Sequence, residues 1–148
     1  MTAGTPQGSY RSMSDHSKAE ERAWKAFSRM IRARDEIDGY FRCPTCGRTL
    51  TIDQADAGHY ISRVRKATMF DEKNVHAQCR HCNRFQEGNH FIYRAWLVGK
   101  YGAKEVEAME QRARMGGGYS TADLLLMAKE YRARAKAIKE RKDNEGRH

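Results

Sequence analysis

Four cysteines in two Cys-x-x-Cys pairs, Cys43-Pro-Thr-Cys46 and Cys79-Arg-His-Cys82, constrain this chain more than any other feature. Each pair presents two sulfurs from a tight turn whose amides can hydrogen-bond them, so the two pairs can close on one tetrahedral zinc. The 32 residues from 47 to 78 exceed what a minimal zinc ribbon needs and have room for another hairpin. Four thiolates saturate a zinc ion and leave no open position for water, so the predicted site is structural and any chemistry lies elsewhere. No thioredoxin-like βαβ context accompanies the cysteines, which argues against a redox dithiol.

A metal staple suits a chain this lean. It has 148 residues, 39% hydrophobic and 32% charged, with mean hydropathy −0.91. That is one domain's worth, or one small core with helical extensions. Lys and Arg number 28 against 19 Asp and Glu, a net charge of +9. The balance favours a polyanionic partner, with nucleic acid ahead of an anionic membrane because the basic residues are spread along the whole chain. No apolar run approaches a membrane span, and the start lacks a signal peptide's basic and apolar regions. The expected location is the cytoplasm, where reducing conditions suggest metal thiolates rather than disulfides.

Residues 1–14, rich in Gly, Ser and Thr, read as a disordered tail. A capping box at Ser17-Lys-Ala-Glu20 predicts a helix start, and Ala23, Trp24, Phe27, Met30 and Ile31 give its apolar stripe up to an end near Asp38-Gly39. Short strands are expected at Tyr40–Arg42, Thr49–Ile52, Asp56–Ile61 and Asn74–Gln78, with a polar loop from Arg63 to Glu72. A helix is expected after Cys82, then His90–Val98, a break at Gly99–Gly102, and Ala103–Met115. A last helix from Ser120 or Thr121 carries Leu124, Leu125, Met127, Ala128 and Tyr131 before a basic, frayed end. The division is a core domain over 15–100 and a helical extension over 101–148.

Hydrolysis of a phosphodiester needs a base to activate water and a divalent metal to stabilise the phosphorane and leaving oxygen. His59 on a strand, facing Asn83 in the first turn of a helix, has the residue types for this. Asn74 is placed to bridge the backbone of the intervening loop and fix the hairpin. A lone strand histidine is more often structural, and asparagine often caps helices; the combined spacing favours the functional reading here.

The series His59, Asn74 and Asn83, with a Cys-x-x-Cys ending just before the third member, resembles an HNH (His-Me finger, ββα-metal) nuclease with asparagine as its last member. It is similar to phage recombination endonuclease VII. More narrowly, Phe27–Asp35, Cys43–Cys46, Asp56-Ala-Gly-His-Tyr60, Asn74–Cys79 and Cys82-Asn83 together resemble the NinG (Rap) family of lambda-like phages, over about Trp24 to Leu97. The resemblance implies an α+β fold, mostly helical overall, with a zinc-stapled ββα core between flanking helices. It also implies a structure-specific endonuclease acting on branched DNA such as Holliday junctions and D-loops, with Mg²⁺ or Mn²⁺. His59 would be the general base and Asn83 a metal ligand. The usual pattern has an acidic ligand immediately before the base, but position 58 is glycine. Asp56, at the same strand parity, could replace it through a slight bulge or could only cap the turn; His90, Glu87 and His76 are the other candidates.

Arg63, Arg65 and Lys66, in the loop after the base, are expected to hold the scissile phosphate and its neighbours, with Arg80 and Arg84 extending the same face. Such contacts read shape rather than sequence. A four-way junction has approximate two-fold symmetry, so a homodimer is an economical way to place paired nicks. The face around Leu124 to Tyr131 offers a seam for it, or packs on the first helix of the same chain. The alternatives are a zinc-ribbon DNA-binding module without nuclease activity and an HNH nuclease acting on unbranched nucleic acid.

Overall fold

The computed structural model describes residues 14–86 and 89–146. The tail read as disordered therefore lies outside the described residues but for Ser14, as does Glu87.

The first helix, α1 (Asp15–Asp35), starts earlier than the sequence suggested. Ser14 is the cap, its hydroxyl accepting from the Ser17 amide, so Ser17 lies inside the first turn. The helix also ends earlier, at Asp35. Asp38 and Gly39 have positive φ and turn the chain into the first hairpin. That hairpin pairs β1 (Tyr40–Arg42) with β2 (Thr49–Thr51) in antiparallel register and carries the first cysteine pair in its loop. A 3-10 turn over Ile52–Gln54 leads into β3 (Ala55–His59), which pairs antiparallel with β4 (Val75–Cys79). Their register runs one to one from Ala55↔Cys79 to His59↔Val75, so β3 holds no bulge at Asp56.

Helix α2 (Arg80–Phe85) begins before Cys82 rather than after it, capped by the Cys79 sulfur. Helix α3 (His90–Tyr101) runs through Gly99, the expected break, and stops at Gly102, whose φ of 90° suits glycine. Helices α4 (Ala103–Arg114) and α5 (Thr121–Glu145) follow. A Ser120–Asp123 capping box starts α5. Its basic end is helical rather than frayed: Lys142 Nζ donates to the carbonyls of Ala33 and Glu36, caps that the C-terminus of α1 needs.

Three clusters make the core. Ala23, Phe27 and Ile31 of α1 meet Leu124, Ala128 and Tyr131 of α5, with Ala57 and Val75 of the second hairpin beneath. The face of α5 read as a dimer seam is thus largely buried within its own chain. A second cluster surrounds the cysteines, and a third joins Tyr60 to Tyr93 and Leu97 of α3 and Val106 and Met109 of α4. The fold is mixed and mostly helical, with two small two-stranded sheets.

A cysteine cluster and a basic cleft

The four cysteine sulfurs lie within 4.8 Å of one another, three of the residues buried and Cys46 exposed. A tetrahedral zinc with arms of about 2.3 Å has sulfur–sulfur edges of about 3.8 Å. Cys46 and Cys79 are 3.8 Å apart. The Cys79 amide approaches Cys43 Sγ at 3.5 Å and the Cys82 amide approaches Cys79 Sγ at 3.4 Å, the donors that thiolates require. Burial raises the Cys43 thiol pKa, but the Thr45 hydroxyl and the amides of Cys46, Cys79 and Thr45 outweigh it and bring it down to about 6. These residues fit a structural zinc, and among the described residues they are the only cluster of three or more His, Cys, Asp or Glu placed to hold a metal.

The hairpin β3–β4 is fixed against α1 by an arginine–aspartate pair. Arg34 donates to the carbonyls of Glu72 and Val75, both at 2.8 Å. Asp35 Oδ2 accepts from the Ala77 amide at 2.8 Å. Burial alone would raise the Asp35 pKa; Arg34 beside it holds the carboxyl below its ordinary value. Period-two alternation then sends Ala57 and His59 toward α1, and Asp56 and Gly58 to the opposite face.

His59 stacks on Trp24, with ring centroids 4.7 Å apart at 25°. Its Nε2 lies 2.9 Å from the Met69 carbonyl. A carbonyl can only accept, so Nε2 carries the hydrogen and Nδ1 is left with its lone pair. No described residue bonds Nδ1. Burial lowers the ring's pKa to about 4, the Met69 bond opposing and the Arg63 charge adding to the shift. At neutral pH His59 is an uncharged imidazole with one free basic nitrogen.

His59 opens on a cleft of about 660 Å³. Asn83 and Asp56 line it too, and touch: Asn83 Nδ2 donates to Asp56 Oδ2 at 3.0 Å. That leaves Asn83 Oδ1 without a donor among the described residues. Asp56 is also held by Arg84 through both oxygens, at 2.8 and 3.0 Å, with Arg80 at 3.7 Å. Four arginines, Arg32, Arg63, Arg80 and Arg84, border the cleft against the single carboxylate of Asp56. Burial, then the like charge of Arg29, lowers the Arg32 pKa; Asp56 opposes this and Arg80 adds to it.

The remaining predicted residues go elsewhere. Asn74 is fully buried and touches no part of the cleft. Its Oδ1 accepts from the Ile61 amide at 2.7 Å, and its Nδ2 donates to the carbonyls of Ile61 at 2.9 Å and Thr68 at 3.0 Å. It therefore ties together the loop that follows His59, a positioning role. Lys66 reaches back to Glu20 on α1 at 2.7 Å. Arg65 lines a neighbouring hollow. His90 borders the cleft and stacks on Tyr60. His76 is buried against Tyr101, bonded at 2.8 Å, and does not line the cleft. Gly58 has no room for the acidic ligand of the usual pattern. A Cβ there would meet Gln78 Oε1 at 2.1 Å and Gln78 Cβ at 2.8 Å.

Sequence reasoning had left α1 out of the site. Trp24, Ser28 and Arg32 line the cleft from that helix. Their spacing of four is the signal, since it runs one line along the helix from Trp24, at the edge of the apolar stripe, through Ser28 to Arg32.

A family model described as Bacteriophage Lambda NinG protein matches residues 9–142. The chain belongs to the NinG family. Among its relatives, protein ninG of Escherichia phage 933W and protein ninG of Salmonella phage P22 are each 38% identical over 91 residues. Protein ninG of Escherichia phage lambda is 37% identical over 91 residues. Each match covers 61% of this chain and 43% of the relative, so the matched stretch spans less than half the length of these NinG proteins. No solved structure matches.

Proposed function

We propose that this NinG-family chain is an HNH-type, metal-dependent endonuclease that hydrolyses phosphodiester bonds in branched DNA such as Holliday junctions and D-loops. The observation that carries the reading is the shared cleft of His59 and Asn83, one with an unprotonated Nδ1 and the other with an uncommitted amide oxygen, among four arginines. The order β3, β4, α2, with His59 on the first strand and Asn83 on the helix, supports the reading because a ββα-metal site needs its base and its ligand in that order. Membership of a phage family accords with a role in recombination.

In this reading His59 Nδ1 takes a proton from water attacking phosphorus. The Met69 carbonyl holds the ring in the required tautomer, and Trp24 fixes its plane. Asn83 Oδ1 would hold a Mg²⁺ or Mn²⁺ ion, joined by the Asp56 carboxylate once its pair with Arg84 opens, oxygen donors that suit a hard cation and leave most of its shell to water and phosphate. When bound, that ion would supply charge stabilisation at the phosphorane and the leaving oxygen. Arg63, with no acid partner among the described residues and its guanidinium over the Trp24 ring, is the first to meet a flanking phosphate; Arg80 and Arg84 join it where phosphate replaces Asp56 as their partner, and contact with the backbone alone suits recognition by shape.

The test is cleavage of a synthetic four-way junction and of a linear duplex with Mg²⁺ or Mn²⁺. Wild type is expected to cut the junction in preference. His59→Ala should lose about 10²–10⁴-fold, the usual contribution of a positioned base, and Asn83→Ala should lose metal-dependent activity. Equal cleavage of the linear control would point to an HNH nuclease for unbranched DNA. Binding without cleavage would leave a zinc-ribbon DNA-binding module.

A further inference from the structure

The cleft does not end at His90. Across the stacked rings of Tyr60 and His90, whose centroids lie 4.5 Å apart, a second hollow of about 230 Å³ opens toward α4. Tyr60, Ser62 and His90 border both, so the two hollows adjoin. The second hollow adds Arg65 from the loop after β3, and Glu110 and Arg114 from α4.

Its charge is decided by which groups are already committed. Both Glu110 oxygens are taken: Arg94 donates to Oε1 at 2.9 Å and to Oε2 at 3.1 Å, and the Tyr60 hydroxyl donates to Oε2 at 2.7 Å. The Arg94–Glu110 pair cancels. Neighbouring cations are engaged as well, Lys66 with Glu20, Lys73 with Glu105 and Arg112 with Asp71. Arg65 and Arg114 are exposed, and neither guanidinium has a hydrogen-bond or ion-pair partner among the described residues; Arg114 acts on Glu110 only at a distance, its charge helping to lower that carboxyl's pKa after the larger effects of Arg94, burial and Tyr60. Two arginines free of ion pairs on one hollow, beside a basic cleft, offer the charge that the phosphates of a nucleic-acid strand need. The planar donor fork of arginine suits phosphate oxygens.

We infer that this second hollow is a phosphate-binding subsite, in which Arg65 and Arg114 hold the backbone of the DNA strand leaving the cleft, so that α4 belongs to the DNA-binding surface. The inference rests on the nucleic-acid reading above, and nothing in it requires cleavage.

The experiment measures binding of a labelled four-way junction across a salt series, with no added Mg²⁺ or Mn²⁺ and no chelator, so that zinc stays bound. Wild type, Arg65→Gln/Arg114→Gln and a control pair, Lys136→Gln/Lys139→Gln, are compared. The control removes the same charge from exposed positions on α5 that line neither hollow. Each lost phosphate contact lowers the slope of log K against log salt by about 0.7–0.9. The first pair should therefore lose about 1.4–1.8 in slope and bind more weakly, while the control keeps the wild-type slope. A wild-type slope for Arg65→Gln/Arg114→Gln overturns the subsite, as does an equal fall in the control pair, which would mean unlocalised charge. If wild type fails to cut the junction but the slopes separate as expected, only the nuclease reading falls. If wild type cuts and the slopes do not separate, only the subsite falls.

Discussion

Gly58 is the place where this chain departs from the acid-then-base pattern, and the structure gives the departure a physical cost that can be measured. In Gly58→Ala the new Cβ would meet Gln78 at three atoms, 2.1 Å from Oε1, 2.8 Å from Cβ and 3.0 Å from Cδ. The Oε1 atom could swing away, but Cβ is fixed to strand β4. Gln78 is fully buried and donates to Thr45 Oγ1 at 3.0 Å, and Thr45 in turn lies 3.2 Å from Cys43 Sγ. The strain therefore has to move the hairpin or the first cysteine pair. Overpacking of this kind costs about 1–3 kcal/mol. For a chain of this size that lowers Tm by about 2–4 °C per kcal/mol. Gly58→Asp should cost more, since it adds a carboxylate to a buried contact, and it should not create a better metal site. Urea unfolding gives the stability, and the rate of zinc transfer to a chromophoric chelator tests the link to Cys43. Gly58→Ala with wild-type stability and zinc retention would refute the view that Gln78 fills the place of the missing acid.

Three other perturbations have defined outcomes. Asn74→Ala strips partners from the Ile61 amide and from the carbonyls of Ile61 and Thr68; at about 1–3 kcal/mol for each buried group left unsatisfied, urea unfolding should show a loss of at least about 3 kcal/mol. Asn74→Asp should not rescue it, because two of the three bonds need the Nδ2 donor, and a wild-type midpoint for Asp would contradict this. Burial lowers the pKa of His59 to about 4 and of His76 to about 3, with Arg34 adding to the second. The unfolded chain then binds more protons below about pH 6.5, so Tm should hold above that pH and fall as pH drops toward 4; a flat Tm from pH 7 to 4.5, with one zinc per chain throughout, would count against these buried neutral rings. Removing zinc with a chelator should lower Tm sharply and restoring zinc should reverse it, whereas a zinc-depleted protein that melts with the wild type would show that the cysteines do not hold the fold.

The cysteine pairs, both hairpins and the order of helices were legible because their signals are local: fixed spacings, turn residues and alternation. Helix ends were less so. Ser17-Lys-Ala-Glu20 has a capping-box pattern, yet Ser14 caps a turn earlier, and Gly99 did not break α3 because Tyr93 and Leu97 on the same helix are locked into the core with Val106 and Met109. His59 and Asn83 could be paired from spacing alone. The engagement of Asp56 by two arginines depends on α2 folding back along β3, and the entry of Trp24 and Arg32 into the cleft depends on α1 crossing the hairpin. That crossing is fixed by long-range contacts of Arg34, Asp35 and α5 that no short motif records. Lys66 and Arg65 illustrate the same limit, since neighbours in one loop face different partners, one an acid on α1 and the other an open hollow.

The central claim is that this cleft hydrolyses DNA at His59. Its most direct test is single-turnover cleavage of a labelled four-way junction by the zinc-loaded protein, with Mg²⁺ or Mn²⁺ and with neither, for wild type and His59→Ala side by side. The account predicts cleavage by wild type that depends on the added metal and is about 10²–10⁴-fold slower in His59→Ala. No cleavage by wild type with either metal, or the same rate in both proteins, would contradict it.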